Sequence, residues 1–242
     1  MQQTAVNDTT RSHRYSKKTI NRVLQNIVLP ETTCTLHSNQ SPRRPVLESY
    51  IYDNFSRAYQ AEITEFMPHL LSIDCHRNVS ATAGIRKAKE SDLMVEQYMP
   101  GPVEKTLNDL AFSRVGRQDI VEIGNLVATE RGASQLLFIL LLAVLDQANY
   151  RWIVFTATKQ VSQLLNKLHF TPINICTADP SRLDNPLNQW GSYYDSCPAV
   201  LAGDLRFAID YAKTNSVMSC ILDYYKDLIQ DLAIKLREEE QI

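Results

Sequence analysis

One carboxylate of this 242-residue chain lies where an ionised side chain is costly. Glu122 interrupts the apolar run of residues 120–128, and Asn125 follows it three positions later. A buried carboxylate either pairs with a cation or holds its proton more tightly, which raises its pKa. Acids of this kind often serve as general bases, because a pKa near neutrality suits proton transfer. Glu122 therefore has two interpretations: a catalytic base, or one half of a buried ion pair with Arg86 or Arg117.

The pattern around Glu122 predicts a strand, a tight turn and a helix. Residues 120–128 are rich in Ile and Val over the length of a strand, whereas residues 134–147 are rich in Leu and Ala over about four helical turns. The first free amides of such a helix can bind a phosphate or pyrophosphate. We expect that site in the turn, at Arg131, Gly132, Ala133, Ser134 and Gln135. An ordinary strand-to-helix turn would explain the same residues.

Gly124 interrupts the predicted central strand. In a regular strand Glu122 and Asn125 face opposite sides of the sheet, because side chains alternate. A bulge at Gly124 would bring both side chains to one face, and it would splay this strand from the next one, at residues 152–158. The splay would leave a slot beside the carboxylate, where Asn125 can orient a ligand through a hydrogen bond.

The rest of the pattern predicts an α/β fold, with a mixed twisted sheet and flanking helices. Helices are expected at residues 47–61, 102–110 and 161–168, and further strands at 66–73, 79–86, 93–99 and 198–204. The strand predicted at 93–99 carries Glu96, a second candidate acid. Residues 177–197 are rich in Asp, Asn, Pro and Ser, which predicts a long loop holding an aromatic cluster.

Three regions are expected along the chain. Residues 1–45 are polar and interrupted by Pro, which predicts a flexible segment with at most a short strand at 23–29. Residues 46–205 form the predicted acyltransferase-like domain. The C-terminal segment, 206–242, has apolar residues at helical spacing, which predicts one long amphipathic helix. This helix would pack on the domain or on a second subunit of a homodimer.

Composition argues against several classes of function. The formal net charge of -2 gives no electrostatic basis for binding nucleic acid. Five widely spaced cysteines and five histidines without ligand spacing predict neither a disulfide framework nor a metal site. The N-terminus lacks the apolar core of a secretory signal, and the longest apolar segment is about half a membrane span. A reduced, cytoplasmic protein without a transmembrane segment is expected.

One segment resembles a motif of a known superfamily. Residues 158–170 are similar to the second cofactor-side motif of the GCN5-related N-acetyltransferases (GNAT), through Leu164, Lys167, Leu168 and Phe170. Thr158 stands where that family has Asn, and Leu165 where it has a Tyr that often serves as general acid. The order of elements also resembles this superfamily: a hairpin, a strand, a phosphate-sized turn, a helix and a parallel strand.

A longer series of segments resembles the thermostable hemolysin family of bacterial proteins. The segments are FMP at 66–68, EQY at 96–98, VEIGNL at 121–126, FTAT at 155–158, ADP at 178–180 and WGSYY at 190–194. That family is similar in turn to acyl-homoserine-lactone synthases, whose E-x-S-R motif is echoed by Glu122 and Asn125.

These resemblances imply an acyltransferase. It would move an acyl group from acyl-CoA or acyl carrier protein to an amine on a small-molecule acceptor, with no permanently bound cofactor. Glu122 would be the base, Asn125 an orienting residue and Glu96 an alternative acid. The expected donor-binding residues are Leu126, Val127, Thr158 and the turn residues 131–135. Two alternatives stay open: a membrane-lytic protein, as the family name indicates, and a non-catalytic GNAT-like protein that binds a partner.

Overall fold

A seven-stranded mixed sheet forms the centre of the fold, in a computed structural model that describes residues 32–111, 114–130, 132–183 and 189–238. The strands are β1 Thr32–His37, β2 His69–Cys75, β3 Asn78–Lys87, β4 Ile120–Ala128, β5 Trp152–Ala157, β6 Ile173–Thr177 and β7 Ala199–Asp204. Their order across the sheet is β1-β2-β3-β4-β5-β7-β6. Strands β4 and β5 run parallel, and the other neighbouring pairs run antiparallel.

Seven helices of the described residues cover the two faces of the sheet. They are α1 Arg44–Tyr59, α2 Val103–Ala111, α3 Ala133–Gln147, α4 Lys159–Lys167, α5 Leu205–Thr214, α6 Ser216–Tyr224 and α7 Lys226–Glu238. Side chains of α3 to α7 share one apolar cluster on one face, and α1 and α2 belong to clusters on the other face. The predicted α/β class, a mixed sheet with flanking helices, is confirmed.

The predicted core helix is α3. All residues from 136 to 145 are buried, because the sheet lies on one side of the helix and the C-terminal helices lie on the other. Each buried Leu or Ile contributes about 1.5–3 kcal/mol, so this helix supplies much of the apolar stabilisation of the fold. Within the described ranges, every helix falls short of the length and hydrophobicity that a bilayer span requires.

The central strands β4 and β5 separate as the sequence predicts. Their parallel pairing runs from Ile120 opposite Trp152 to Ile123 opposite Phe155 and then stops, although β4 continues to Ala128. The two strands therefore form a V that opens toward their carboxyl ends. The edge of β4 beyond Ile123 is left without its β5 neighbour.

A bulge in β4 accompanies this separation. Thr82 of β3 lies opposite Val127, but Gly84 lies opposite Gly124. Between these two pairs β4 therefore contains one more residue than β3. The irregular residue is Asn125, whose φ of 47° lies in the left-handed region that Asn tolerates better than most residues. The predicted bulge is thus present, centred one position after Gly124.

The segment predicted as a strand at residues 93–99 is a 3₁₀ helix, Met94–Tyr98. The Glu96 side chain accepts a hydrogen bond from the Leu93 amide at 2.8 Å, and this reciprocal cap stabilises a turn instead of an extended chain. Val95 and Tyr98 are buried at the three-residue spacing of a 3₁₀ helix. The strand prediction was wrong because apolar residues in so short a segment fit both periods.

Two edge strands were not predicted. Strand β1 lies in the segment expected to be irregular, and β6 follows the short helix α4. Each pairs with one neighbour, β1 with β2 and β6 with β7. An edge strand buries few side chains, and β6 is mostly exposed, so its apolar alternation is weak. The strand expected at residues 23–29 lies outside the described residues.

The C-terminal segment forms three helices where one long helix was expected. Asn215 separates α5 from α6: its backbone is extended and its side chain accepts hydrogen bonds from the amides of Val217 and Met218. Asn is a strong N-cap residue, and this local signal outweighs the continuous apolar stripe. The last helix, α7, packs back on the sheet, where Lys235 Nζ donates to the Leu36 carbonyl. Pairing with a second subunit stays a prediction.

Candidate active site

A cavity of about 280 Å³ lies where β4 and β5 separate. It reaches both faces of the sheet: Tyr98 and Tyr194 line it on one side, and Phe138 and Phe155 on the other. The remaining lining includes Glu122, Gly124, Asn125 and Leu126 of β4 together with Arg86, Met94, Gln97, Thr156 and Thr158. The cavity is thus continuous through the opening in the sheet.

Glu122 is buried at the wall of this cavity, with 2% of its surface exposed. Its two carboxylate oxygens each accept a backbone hydrogen bond of 2.9 Å, Oε2 from the Met94 amide and Oε1 from the Val95 amide. These amides are the first of the 3₁₀ helix Met94–Tyr98, whose unpaired N–H groups favour a negative charge. The 3₁₀ helix that replaces the predicted strand therefore binds the Glu122 carboxylate.

The charge of Glu122 is only partly compensated. Arg86, its neighbour across the sheet, comes within 3.9 Å of Oε2, which is too long for a hydrogen bond. Burial raises the pKa of Glu122 from 4.5 to about 7, and the two amides and Arg86 oppose this shift without cancelling it. The carboxyl group consequently titrates near neutral pH.

Asn125 is fixed beside the cavity by its bulge. Its Oδ1 accepts a 2.8 Å hydrogen bond from the Met67 amide, which leaves the side-chain NH₂ to donate elsewhere. The Met67 side chain crosses the facing glycines Gly84 and Gly124, and a Cβ at Gly84 would lie 2.5 Å from the Met67 Cβ. Gly84 is therefore required by this close packing, whereas a Cβ at Gly124 would meet only the mobile end of the Met67 side chain.

The structure separates Glu96 from the other predicted acid. Glu96 is outside the cavity lining, and its carboxylate is bound by Arg117 at 2.6 Å and by the Leu93 and Val103 amides. Burial opposes its charge, but these hydrogen bonds outweigh burial, and the net pKa of Glu96 is lowered. A carboxylate held in this way is a structural anion. Arg117, one of the two arginines considered for Glu122, is occupied here.

The predicted donor-binding residues lie at the carboxyl end of β4 and around it. Leu126 and Thr158 line the cavity, and Thr158 also caps α4. Val127 packs against α1 on the other side of the strand. Residues 132–135 form the first turn of α3 outside the cavity lining, and Arg131 is not among the described residues.

The first turn of α3 has the geometry expected of an anion site. Gly132 adopts a φ of 84°, and its carbonyl accepts the first intrahelical bond, from the Leu136 amide. The amides of Ser134 and Gln135 precede that bond and have no acceptor within the helix. Binding of a phosphate here stays a prediction.

Aromatic residues form much of the cavity wall, and several of them belong to the aromatic cluster predicted in the long loop. Tyr98 and Tyr194 are joined by a hydroxyl–hydroxyl hydrogen bond, and burial raises the pKa of both phenols. Trp190 and Tyr193 pack beside them and against α1. The clustering of Trp190, Tyr193 and Tyr194 was visible in the sequence, but the contact of Tyr194 with Tyr98 joins residues 96 positions apart and was not.

One protein-family sequence model matches most of the chain. The sequence model described as thermostable hemolysin matches residues 37–209. The chain belongs to the thermostable hemolysin family. This match covers strands β2 to β7 and ends in α5, so the cavity and Glu122 lie inside it. No curated protein matches the sequence.

Three solved structures with a similar fold are by title an N-acyl amino acid synthase, an AHL synthase and an N-acetyltransferase. FeeM, an N-acyl amino acid synthase from uncultured soil microbes, has 11% identity, covers 78% of this chain and 97% of its own, and gives a TM-score of 0.52. The AHL synthase LasI has 9% identity, with coverages of 72% and 90% and a TM-score of 0.49. An N-acetyltransferase from Staphylococcus aureus Mu50 has 12% identity, with coverages of 72% and 99% and a TM-score of 0.43. The hemolysin-family chain has a GNAT-like fold.

Proposed function

We propose that this hemolysin-family protein transfers an acyl group from an acyl thioester to an amine acceptor. The observation that carries the proposal is the buried Glu122 carboxylate, which titrates near pH 7 in the opening between β4 and β5. FeeM, whose fold is similar, is by its title an N-acyl amino acid synthase, and this fold-level analogy agrees with the proposal.

The donor would lie along the free edge of β4. Beyond Ile123 that edge has no β5 partner, so the backbone of Leu126 and Val127 is available to pair with the amides of a pantetheine arm. The first turn of α3, with the amides of Ser134 and Gln135, would bind its phosphates. Both acyl-CoA and acyl carrier protein present this arm, and the donor is one of these two.

The acceptor would enter from the Glu122 side of the sheet. Its amine nitrogen attacks the thioester carbonyl carbon, a C–N bond forms, and the C–S bond breaks as the tetrahedral intermediate collapses. Glu122 takes the proton that the nitrogen loses, directly or through a water molecule, and the thiolate is protonated as it leaves. The side-chain NH₂ of Asn125, which is left free by the Met67 bond, would orient the donor or the acceptor.

Leu165 stands where the superfamily often has a tyrosine general acid, and it is buried in the core. A thiolate is a stable leaving group, so the proposed reaction does not depend on a strong acid at this position. The proposed reaction thus requires a slot that binds the donor and a base that deprotonates the amine.

The experiment is an acyl-transfer assay with purified protein, acyl-CoA or acyl carrier protein thioesters of several chain lengths, and a mixture of amines. We expect free thiol and amide product in equal amounts. Thermal unfolding provides the binding readout, since a thioester at 100 times its dissociation constant adds about 2.7 kcal/mol of stability. Dye release from liposomes, without thioester stabilisation or product, would contradict the proposal and favour the membrane-lytic alternative.

A further inference from the structure

Arg86 lines the cavity, and its guanidinium makes no side-chain hydrogen bond to another residue in the described part of the chain. It lies on β3 directly opposite Glu122, and its side chain is 20% exposed. Its contact to Glu122 is 3.9 Å, beyond hydrogen-bond length. A guanidinium has five N–H donors in a planar fork that fits a carboxylate with two parallel bonds.

The charges around the cavity complement a zwitterion. Among the described residues that line it, three carry formal charges: Arg86, Glu122 and Glu65. Glu65 is exposed at the rim, whereas Glu122 is buried. The Arg86 guanidinium lies beside the buried carboxylate, that of Glu122. A small molecule that bears an amine and a carboxylate close together would meet an opposite charge at each end.

We propose that the acyl acceptor carries a carboxylate next to its amine, as an amino acid does, and that Arg86 binds this carboxylate. Because Arg86 and Glu122 face each other across two neighbouring strands, binding the carboxylate at Arg86 directs the amine toward the base. The aromatic wall of Tyr98, Tyr194 and Trp190 would contact the rest of the acceptor. This inference rests on the proposed acyl transfer and names its substrate class.

The test is a competition between matched acceptors. Each of the twenty common amino acids is offered together with its own amide, with the thioester donor in excess, and the two acylated products are measured by mass spectrometry. The α-amine of an amino-acid amide is the less basic of the two, so ionisation alone would favour the amide. We expect the opposite for the best acceptors, a roughly 10- to 100-fold preference for the carboxylate, as a charge-assisted bond provides.

Arg86→Gln and Arg86→Lys identify the residue responsible. The readout is the ratio of kcat/KM for the carboxylate acceptor to that for its amide, because any effect of Arg86 on the ionisation of Glu122 alters both rates alike. Arg86→Gln should reduce this ratio to 1 or below, because ionisation alone favours the amide. Arg86→Lys keeps the charge but loses the planar fork, so its ratio should fall between those of the wild type and Arg86→Gln.

The outcomes distinguish this inference from the proposed function. If thioester binds and amides or simple amines are acylated as fast as amino acids, the acyltransferase proposal stands and the carboxylate acceptor is wrong. The same holds if thioester binds and no carboxylate-bearing amine is acylated, or if Arg86→Gln leaves the ratio unchanged. If no thioester of either type stabilises the protein, the proposed function itself fails.

Discussion

Replacing Glu122 by Gln should lower activity and, relative to the wild type, raise stability as the pH rises. The amide keeps the shape of the side chain but cannot accept a proton, so turnover should fall about 10²- to 10⁴-fold. Thioester affinity should change little, because the free edge of β4 and the first turn of α3 are untouched. A loss of turnover together with a gain of stability at high pH is typical of a catalytic base whose burial destabilises the folded protein.

The stability change follows from the raised pKa. In the unfolded chain Glu122 releases its proton near pH 4.5, but in the folded protein it does so near pH 7. The protonated Glu122 therefore contributes its full stability below pH 4.5. As the pH rises to 7, the free energy of unfolding falls by about 3 kcal/mol through this group. A Gln side chain is neutral, as the protonated carboxyl group is, but its NH₂ cannot accept from the second backbone amide. The informative quantity is therefore the change with pH: relative to the wild type, Glu122→Gln should gain about 3 kcal/mol of stability between pH 4.5 and pH 8.

The assay is urea unfolding of both proteins at pH 4.5 and pH 8, together with turnover. Other titrating groups are common to the two proteins and cancel in the difference. If Glu122 were half of a stabilising ion pair with Arg86, the variant would lose stability relative to the wild type as the pH rises from 4.5 to 8. That result, or turnover within a factor of ten of the wild type, would refute the reasoning.

Three further predictions concern the surroundings of Glu122. Gly132→Pro should weaken thioester binding, measured by calorimetry, before it affects the chemical step, because the fixed φ of proline is incompatible with 84°. Gly84→Ala should destabilise the protein by about 1–3 kcal/mol in urea unfolding, because the new Cβ would meet the Cβ of Met67. Gly124→Ala should destabilise it less, because the new Cβ would meet only the mobile end of the Met67 side chain. Glu96→Gln should destabilise the protein by about 1–3 kcal/mol through Arg117 and shift the pH dependence of turnover slightly downward, because the Glu96 charge helps to raise the pKa of Glu122; a loss of turnover as large as that of Glu122→Gln would restore Glu96 as a candidate base.

The central elements were predictable because their signals are local. A nine-residue apolar strand, a turn and a leucine-rich helix appear in the sequence as β4 and α3 do in the structure. The separation of β4 from β5 could be expected from Gly124 and Asn125, since a glycine followed by a residue that tolerates positive φ is typical of a bulge.

The remaining features depend on contacts between distant segments. The turn that holds Glu122 comes from residues 94 and 95, about 28 positions earlier, and its 3₁₀ form is fixed by the cap of Glu96. The role of Arg86 depends on the register of β3 against β4, which apolar alternation does not specify across a bulge. The contact of Tyr98 with Tyr194 likewise joins residues 96 positions apart in the sequence.

The central claim is that an acyl thioester lies in the opening between β4 and β5. A crystal structure of the protein with a non-hydrolysable acyl-thioester analogue tests it most directly. The account predicts density for the pantetheine arm along β4 beyond Ile123, phosphates at the amides of Ser134 and Gln135, and the acyl carbonyl beside Glu122. An analogue bound elsewhere, or β4 and β5 paired along their full length in the complex, would contradict it.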